Sequence, residues 1–485
     1  MLLSSRPIWM DSRGRRAKVA RPASTQANHF IAMKKDTTKS PLTRRSFLES
    51  SGKAAAAGAV LSQLPIERVA HAADNDTVSV ALVGCGGRGT GAAKQALSTT
   101  GPVKLVAMAD AFRERMDGSL RNISAQFKNQ PERIEVGEDQ KFIGPDAYKK
   151  AIALADVVIL TTPPGFRPYM FAEAVKQGKH VFMEKPVATD AHGVRIVLEA
   201  AKEAKKKNLK VGVGLQRHHD AGYQETVKRL QDGELGEITS MRSYWNGGGV
   251  WDPRRTRDQV ANEMEYQMWN WYYYVWLCGD HICEQHIHNL DVINWVKGFQ
   301  YPVAASGMGG REVRTHKKYG EIYDHHFVEF EYADGSRNYS QCRHIRGCQN
   351  SVSEWATGTK GRANVGGKAF VNLKGELKWR FGQRSKNAYQ VEHDVLFDAI
   401  RNNKPHNEAD YGAKSTMTAI LGRLATYTGR RLTWDQAFNS KVVLMPDDIG
   451  YENGKWTGTP PTKPDANGAY PIAVPGSKEW FQKLI

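Results

Sequence analysis

The stretch Thr77-Val78-Ser79-Val80-Ala81-Leu82-Val83 is an apolar, β-branched run that leads directly into Gly84-Cys85-Gly86-Gly87-Arg88-Gly89. The glycines fit the pattern G-x-G-x-x-G, and residues 92–97 after them are typical of a helix. In such a unit the first glycine permits a tight turn, the second lets the backbone approach a diphosphate, and the third lets helix and strand pack closely. The segment therefore predicts a dinucleotide site that also includes Gly87 and Arg88, with the phosphates on the helix N-terminus.

A second strand, residues 103–110, ends in a carboxylate. Asp110 is placed to accept hydrogen bonds from a ribose 2′-hydroxyl and to repel a 2′-phosphate, which favours NAD over NADP. Arg113 and Arg115 lie close by in the sequence and weaken that preference. We therefore expect NAD as the cofactor, with NADP as the less favoured alternative.

Strands and helices alternate through the next hundred residues. Strands are predicted at 156–160, 180–183 and 209–214, and helices at 168–177 and 191–206. This alternation indicates an α/β fold with a doubly wound, mostly parallel sheet, in which ligands bind at the carboxyl ends of the strands. Four further cofactor-binding residues are predicted at those ends: Thr162, Pro163, Glu184 and Lys185.

Charge and cysteine content exclude two classes of protein. The formal net charge is +17, but residues 1–72 hold 13 lysines and arginines against 4 acidic residues, which leaves +8 for the other residues. Because that remainder shows no basic stripe, we expect no nucleic-acid partner. Five cysteines without C-x-x-C spacing do not predict a disulfide framework, although Cys342 and Cys348 could pair if they lie on neighbouring turns.

The first 72 residues have the features of a leader. Thr43-Arg44-Arg45-Ser46-Phe47-Leu48 precedes the apolar run 54–64 and then Ala70-His71-Ala72. This order resembles a twin-arginine signal and implies export of a folded protein to the periplasm by the twin-arginine machinery. A basic amphipathic helix is the alternative. The run is too short for a stable membrane span, and we expect translation to start at Met33.

Several motifs together resemble the glucose-fructose oxidoreductase / inositol dehydrogenase / MocA (Gfo/Idh/MocA) family over residues 76 to about 435. They are the glycine loop, the Thr-Pro turn, Gly178-Lys179-His180-Val181-Phe182-Met183-Glu184-Lys185-Pro186, Gln216-Arg217 and Gly233-Glu234-Leu235-Gly236-Glu237-Ile238. The resemblance implies a Rossmann domain at 76–237. It also implies a C-terminal α/β domain at 238–440 with a large, open, mainly antiparallel sheet for substrate binding and homo-oligomer formation. Residues 441–485 are predicted to be an extended tail.

The resemblance also implies the catalytic residues. Lys185 would lie beside the nicotinamide and stabilise alkoxide charge. The family pattern D-x-x-x-H-x-x-D falls on Glu284, His288 and Asp291, which share one face if residues 279–291 form a helix. His288 would be the general base, Glu284 would hold the substrate hydroxyl, and Asp291 would orient the site. A solvent-exposed lysine and a structural histidine are the alternatives for Lys185 and His288.

Three departures from the family pattern bear on the substrate. Glu284 stands in place of the usual Asp, His286 in place of Gly, and Arg167 in the Thr-Pro turn in place of His. The longer carboxylate of Glu284, the bulk of His286 and the charge of Arg167 change which substrate groups the site contacts. They leave the reaction type unchanged.

Candidate substrate and metal ligands surround the same motif. Candidate substrate contacts are Arg217, His218, Trp245 and His281, with His219 and Arg254 as further groups for hydroxyls or a carboxylate. The aromatic stretch 269–276 and Trp251 either line a sugar site or pack in a core or subunit interface. On a helix only His281, Glu284 and His288 could converge on a metal. Although His325-His326 offers two further ligands, we expect no metal.

These observations predict an oxidoreductase that transfers hydride between tightly bound NAD and a secondary alcohol or ketone of a sugar, glycoside or cyclitol. The cofactor would be loaded before export. One alternative is redox-neutral, NAD-dependent cleavage or isomerisation of a glycoside through a transient keto intermediate. A second alternative is a non-catalytic sugar-binding or sensing protein.

Overall fold

A six-stranded parallel sheet forms the N-terminal half of the molecule. The computed structural model describes residues 76–485, which belong to one folded unit. The strand order is β3-β2-β1-β4-β5-β6. The strands are β1 Val78–Val83, β2 Val103–Ala109, β3 Lys141–Phe142, β4 Val157–Leu160, β5 His180–Met183 and β6 Val211–Val213. The leader with its twin-arginine motif lies outside the described residues.

Helices cover both faces of this sheet. They are α1 Gly87–Leu97, α2 Arg113–Gln126, α3 Ala147–Ala153, α4 Arg167–Lys176, α5 Ala191–Lys206 and α6 Ala221–Gln231. The strands read as continuous apolar runs because both faces are buried, as in β4, whose four residues are fully buried. Helix α5 begins where expected because the Asp190 carboxylate accepts a hydrogen bond of 2.7 Å from the Gly193 amide. The doubly wound parallel sheet is confirmed.

A nine-stranded sheet forms the second half, in the order β14-β13-β12-β11-β7-β10-β9-β8-β15. Its strands are β7 Ile238–Gly247, β8 Ala304–Gly310, β9 His325–Glu331, β10 Arg337–His344, β11 Ser351–Gly358, β12 Gly361–Asn364, β13 Ala369–Asn372, β14 Leu377–Arg380 and β15 Leu432–Thr433. All neighbours are antiparallel except β7 and β10. The large, mainly antiparallel sheet is confirmed.

The second half also contains helices. They are α7 Glu263–Trp269, α8 Val275–Cys278, α9 His281–Glu284, α10 Ile287–Val296, α11 Ala388–Arg401, α12 Ala409–Thr428 and α13 Trp434–Phe438. On α11, Leu396 and Phe397 pack in one core with Val80 and Leu82 of the first sheet. Helix α11 falls within the range 238–440 but completes the core of the nucleotide domain. The domain boundaries 76–237 and 238–440 therefore remain predictions.

The C-terminal residues, predicted to be an extended tail, contain a few short elements. They include a hairpin, β16 Gly450–Glu452 and β17 Lys455–Thr457, and a last helix, α14 Lys478–Leu484. Trp456, Tyr470 and Leu484 are buried, so the segment packs on the fold. None of the described helices is long and apolar enough to cross a membrane. The five cysteines, all of which lie in the described part, are free.

Candidate active site

One large cavity of about 820 Å³ opens at the carboxyl ends of the parallel strands. Segments of the second half and the C-terminal residues form its other walls. All ten residues predicted to bind the cofactor line it: Gly84, Gly86, Gly87, Arg88, Gly89, Asp110, Thr162, Pro163, Glu184 and Lys185. This is the position at which doubly wound sheets bind ligands.

The glycine loop has the shape that a dinucleotide needs. Gly84 has φ +94°, and a Cβ there would lie 2.5 Å from the Thr162 amide nitrogen. A Cβ on Gly89 would overlap the Gly84 carbonyl, so neither position accepts a side chain. At Gly86 and Gly87 a Cβ would meet no protein atom within 4 Å. These two glycines therefore leave open the space through which a diphosphate can approach the backbone.

Asp110 closes the loop from the end of β2. Its Oδ2 accepts a hydrogen bond of 2.6 Å from the Cys85 amide, and its Oδ1 accepts one of 3.0 Å from the Phe112 amide. Burial raises the pKa of the Asp110 carboxyl above its usual value, and the two amide donors oppose that shift. The carboxylate is thereby fixed at the cavity wall, where the ribose of a dinucleotide would lie.

Arg88 connects the glycine loop to residues that the sequence analysis missed. Its guanidinium donates to Glu184 and, at 3.3 Å, to Glu392 of α11, and it lies over the Tyr389 ring. Burial and the nearby Glu184 raise the pKa of Glu392 well above its ordinary value, whereas the Arg88 charge opposes that shift. No local sequence signal points to Tyr389 or Glu392, because they reach the site through α11 packing on the first sheet.

Lys185 projects from the end of β5 towards the second half. Its Nζ donates to the Glu284 carbonyl oxygen at 2.5 Å and lies 3.3 Å from the Glu284 Oε1. The Lys185–Pro186 peptide bond is cis. Buried Arg167 donates from Nη1 to the Pro186 carbonyl at 2.5 Å, and burial lowers its pKa to about 10. Lys185 is paired with Glu284 and is not the freely solvated lysine of the alternative.

His288 lies against the same space, beside the Trp245 ring at a centroid distance of 5.9 Å. Its Nδ1 is buried without a hydrogen-bond partner. Burial, followed by the charges of Lys185 and Arg217, lowers the pKa of His288 well below its ordinary value. A neutral imidazole at this position is able to accept a proton from a substrate hydroxyl.

The helix predicted to carry Glu284, His288 and Asp291 is interrupted. Helix α9 ends at Glu284 and α10 begins at Ile287, with the intervening residues outside either helix. Glu284 and His288 still line the cavity, whereas Asp291 does not. The Asp291 carboxylate contacts His218 Nε2 at 2.7 Å and accepts a hydrogen bond of 2.8 Å from Ser415. Asp291 therefore does not reach a ligand in the cavity directly, and its role in orienting the site stays a prediction.

His218 is held by this same contact and does not line the cavity. Burial alone would lower its pKa, but the Asp291 carboxylate raises it. Arg217 pairs with fully buried Glu354 on β11, which also accepts a hydrogen bond from Asn289. Neither His218 nor Arg217 reaches the cavity as a substrate contact, because each is engaged by a buried carboxylate.

His281 was also misplaced by the helical pattern. It is fully buried, and its Nδ1 lies 2.7 Å from the Asp280 carboxylate. His326, from β9, joins the same carboxylate at 3.3 Å, so His281 converges with Asp280 and His326 and not with Glu284 and His288. Tyr427 and the Tyr323 amide also donate to Asp280, which completes a hydrogen-bonded network. The absence of a metal remains a prediction.

The aromatic residues divide between two roles. Trp245, Trp251, Trp269 and Trp271 line the cavity. Residues 272–276 are buried and belong to the core, as the alternative interpretation proposed. His286, a departure from the family pattern, is buried with its Nε2 2.7 Å from Ser340 Oγ and does not touch the cavity. Arg254 lines the cavity, whereas His219 contacts buried Glu408.

The fold and the cavity are those of a dinucleotide-binding protein. Residues 78–214 match the Gfo/Idh/MocA family model, described as an oxidoreductase family with an NAD-binding Rossmann fold. The NAD(+)-dependent scyllo-inositol 2-dehydrogenase of Bacillus subtilis (strain 168) is 24% identical over 367 residues, covering 73% of this chain and 94% of that protein. The inositol 2-dehydrogenase of Burkholderia cenocepacia (strain HI2424) is 25% identical over 337 residues, covering 67% and 86%.

Solved structures show the same fold. The aldose-aldose oxidoreductase from Caulobacter crescentus, complexed with glycerol, superimposes with a TM-score of 0.57 at 19% identity, covering 74% of this chain and 99% of that one. The chain is therefore an NAD-dependent oxidoreductase, and its residues 78–214 are similar to the Gfo/Idh/MocA family.

Proposed function

We propose that the protein transfers hydride between NAD and a secondary alcohol or ketone of a cyclitol or sugar. The observation that carries this proposal is the shared cavity, in which Lys185, Glu284 and His288 face the same space as the glycine loop. The names of the inositol dehydrogenases and of the aldose oxidoreductase support the substrate class. Trp245, Trp251 and Trp271 offer aromatic faces against which the C–H faces of a sugar ring can pack.

The roles of the residues follow from their contacts. Bound NAD supplies the hydride acceptor, and the residues of the chain move the proton and position the substrate. Lys185, held by Glu284, donates a hydrogen bond to the reacting oxygen and stabilises its negative charge. Neutral His288 accepts the hydroxyl proton during oxidation and returns it during reduction.

Two substitutions test these roles. We expect Lys185→Ala and His288→Ala each to reduce turnover by about 10²-fold, the low end for acid–base and electrostatic contributions. Exposed Lys202 and His316 provide matched controls, and their alanine variants should keep full activity. Circular dichroism and the amount of bound NAD show whether each variant keeps the fold of the parent protein. Normal turnover in either active-site variant would remove that residue from the mechanism.

We also propose that the protein is exported to the periplasm as a folded, NAD-loaded enzyme. The twin-arginine motif at 43–48 supports export.

Retention of NAD is supported at the Asp110 end of the cavity, where the buried Trp456 donates from Nε1 to the Ala111 carbonyl at 2.8 Å. Trp269 stacks on Phe112 at 4.0 Å. Both tryptophans line the cavity from outside the parallel sheet, so they would cover a bound nucleotide and slow its release.

The retention proposal has a direct test. The mature protein is dialysed extensively and then assayed without added nucleotide. Sustained turnover supports retention. In that case a second substrate or the reaction's own intermediate reoxidises the cofactor in place. Activity that appears only in proportion to added NAD would contradict it. Fractionation of the native host for the processed protein tests export separately.

We further propose a homo-oligomer built on the nine-stranded sheet. Met308 on β8 is 71% exposed and Tyr339 on β10 is 37% exposed. The register places both on one face, because Met308 pairs with Phe327, and Phe327 pairs with Gln341, two residues after Tyr339. Light scattering measures the oligomeric state of the parent and of Met308→Lys. A monomeric parent would refute the proposed homo-oligomer.

A further inference from the structure

Arg254 is a cation in the cavity wall without an acidic partner. It lies on the loop between β7 and α7, and its guanidinium lies 4.0 Å from the centroid of the Trp251 ring. Within residues 76–485, no carboxylate forms an ion pair with it. The cavity's other cations include Arg88 and Lys185, which pair with Glu184 and Glu284. Arg254 is therefore available to a ligand in a way that those two side chains are not.

The backbone that carries Arg254 is fixed. The amides of Arg254 and Arg255 donate to the Asn270 Oδ1 at 2.6 and 3.2 Å. The Asn270 Nδ2 donates in return to the Arg255 carbonyl at 2.9 Å, and Asn270 is buried. The anchored backbone fixes the point from which the side chain extends, and the contact with the Trp251 ring restricts the guanidinium, which lowers the entropy lost on binding.

The charge of Arg254 is poorly compensated by the protein. Burial, followed by the charge of Arg115, lowers its pKa to about 10. Arg115 also lines the cavity and also lies over a tryptophan ring, that of Trp269. Two cations that repel each other in the wall of one cavity are stabilised by an anion bound beside them.

We propose that Arg254, with the Trp251 ring beneath it, is an anion-binding subsite of the cavity. The ligand chemistry is an oxyanion that accepts two parallel hydrogen bonds from a guanidinium. The oxyanion belongs either to the carboxylate of an acidic sugar or to the diphosphate of the dinucleotide. This inference rests on the proposed function, because it assumes that the cavity binds NAD and a sugar.

The variants are Arg254→Ala and Arg254→Lys, with Arg255→Ala as the matched control. Arg255 is the next residue but does not line the cavity, and its Nη2 pairs with Glu114 at 2.5 Å. Calorimetry measures methyl β-D-glucuronide and methyl β-D-glucoside binding to the NAD-loaded protein. It also measures NAD and adenosine binding to the nucleotide-free protein. All four are equilibrium measurements, so they stay interpretable if hydride transfer, assayed separately, fails.

Each source of the oxyanion predicts a distinct result. If it is a substrate carboxylate, Arg254→Ala weakens glucuronide binding about tenfold or more, the size of a charge-assisted hydrogen bond, and leaves glucoside binding unchanged. If it is the diphosphate, Arg254→Ala weakens NAD binding by a similar factor and leaves adenosine binding unchanged. In either case Arg254→Lys recovers part of the loss and Arg255→Ala shows none. Unchanged glucuronide and NAD affinities in Arg254→Ala would overturn the proposal.

Discussion

Substitution of two glycines in the same loop should separate cofactor binding from stability. Gly86 has φ −74°, which an L-residue adopts without strain, and a Cβ there would meet nothing within 4 Å. Gly86→Ala should therefore leave the nucleotide-free protein as stable as the parent, or more stable by about 0.4–1 kcal/mol, because the unfolded chain loses freedom. The added methyl group occupies the space that the diphosphate needs, so NAD binding is lost.

Gly89→Ala should behave in the opposite way. Its Cβ would overlap the Gly84 carbonyl oxygen, which belongs to the backbone of the same loop and cannot rotate aside. It would also lie 2.5 Å from the Thr161 Oγ1. Overpacking of this kind costs about 1–3 kcal/mol or more, so the unfolding midpoint in urea should fall.

The assay compares both variants with the parent, each stripped of nucleotide. Urea unfolding gives the free energy of unfolding, and calorimetry gives the NAD dissociation constant. The expected pattern is intact stability without NAD binding for Gly86→Ala, and reduced stability for Gly89→Ala. Parent-like NAD affinity in Gly86→Ala would refute the position assigned to the diphosphate.

Three further changes probe the cofactor and the proton transfer. Asp110→Ser should shift preference from NAD towards NADP, because the group that opposes a 2′-phosphate is removed; tighter NADP binding by the parent would show that the role of Asp110 is wrong. Lys185→Met removes one of the charges that lower the pKa of His288, so the loss of kcat/KM as pH falls, which reports protonation of His288, should begin at a higher pH. If the acidic limb of the pH profile does not move, the charge of Lys185 does not influence the protonation of His288. Glu284→Gln should raise KM more than it lowers kcat, and the reverse split would assign Glu284 to the chemical step.

The nucleotide half of the molecule could be predicted because its signals are local. The glycine loop and the apolar strands 157–160 and 180–183 depend on neighbouring residues alone, and the strand ends place Lys185 and Glu184 at the cavity. Helix 191–206 likewise has its cap and its apolar face within a few turns.

The residues that were missed come from distant parts of the chain. Glu392 and Trp456 reach the cavity region through packing that joins residues hundreds of positions apart. The spacing of Asp291 and His281 along the chain did not show that they lie away from the cavity, because their partners come from other segments or from a helix cap. Buried partners hold both side chains, since Asp291 contacts His218 and His281 contacts Asp280.

The central claim, hydride transfer between bound NAD and a secondary alcohol, has one most direct test. NAD-loaded protein is mixed in single-turnover amounts with cyclitols and sugars carrying deuterium on the ring carbons, and the nucleotide is then recovered for mass spectrometry. We predict that the absorbance band of reduced nicotinamide appears with at least one of these compounds and that deuterium is found on the nicotinamide C4. The protein must be shown to hold NAD. If neither the absorbance band nor the deuterium label then appears with any compound of the panel, hydride transfer to bound NAD is contradicted.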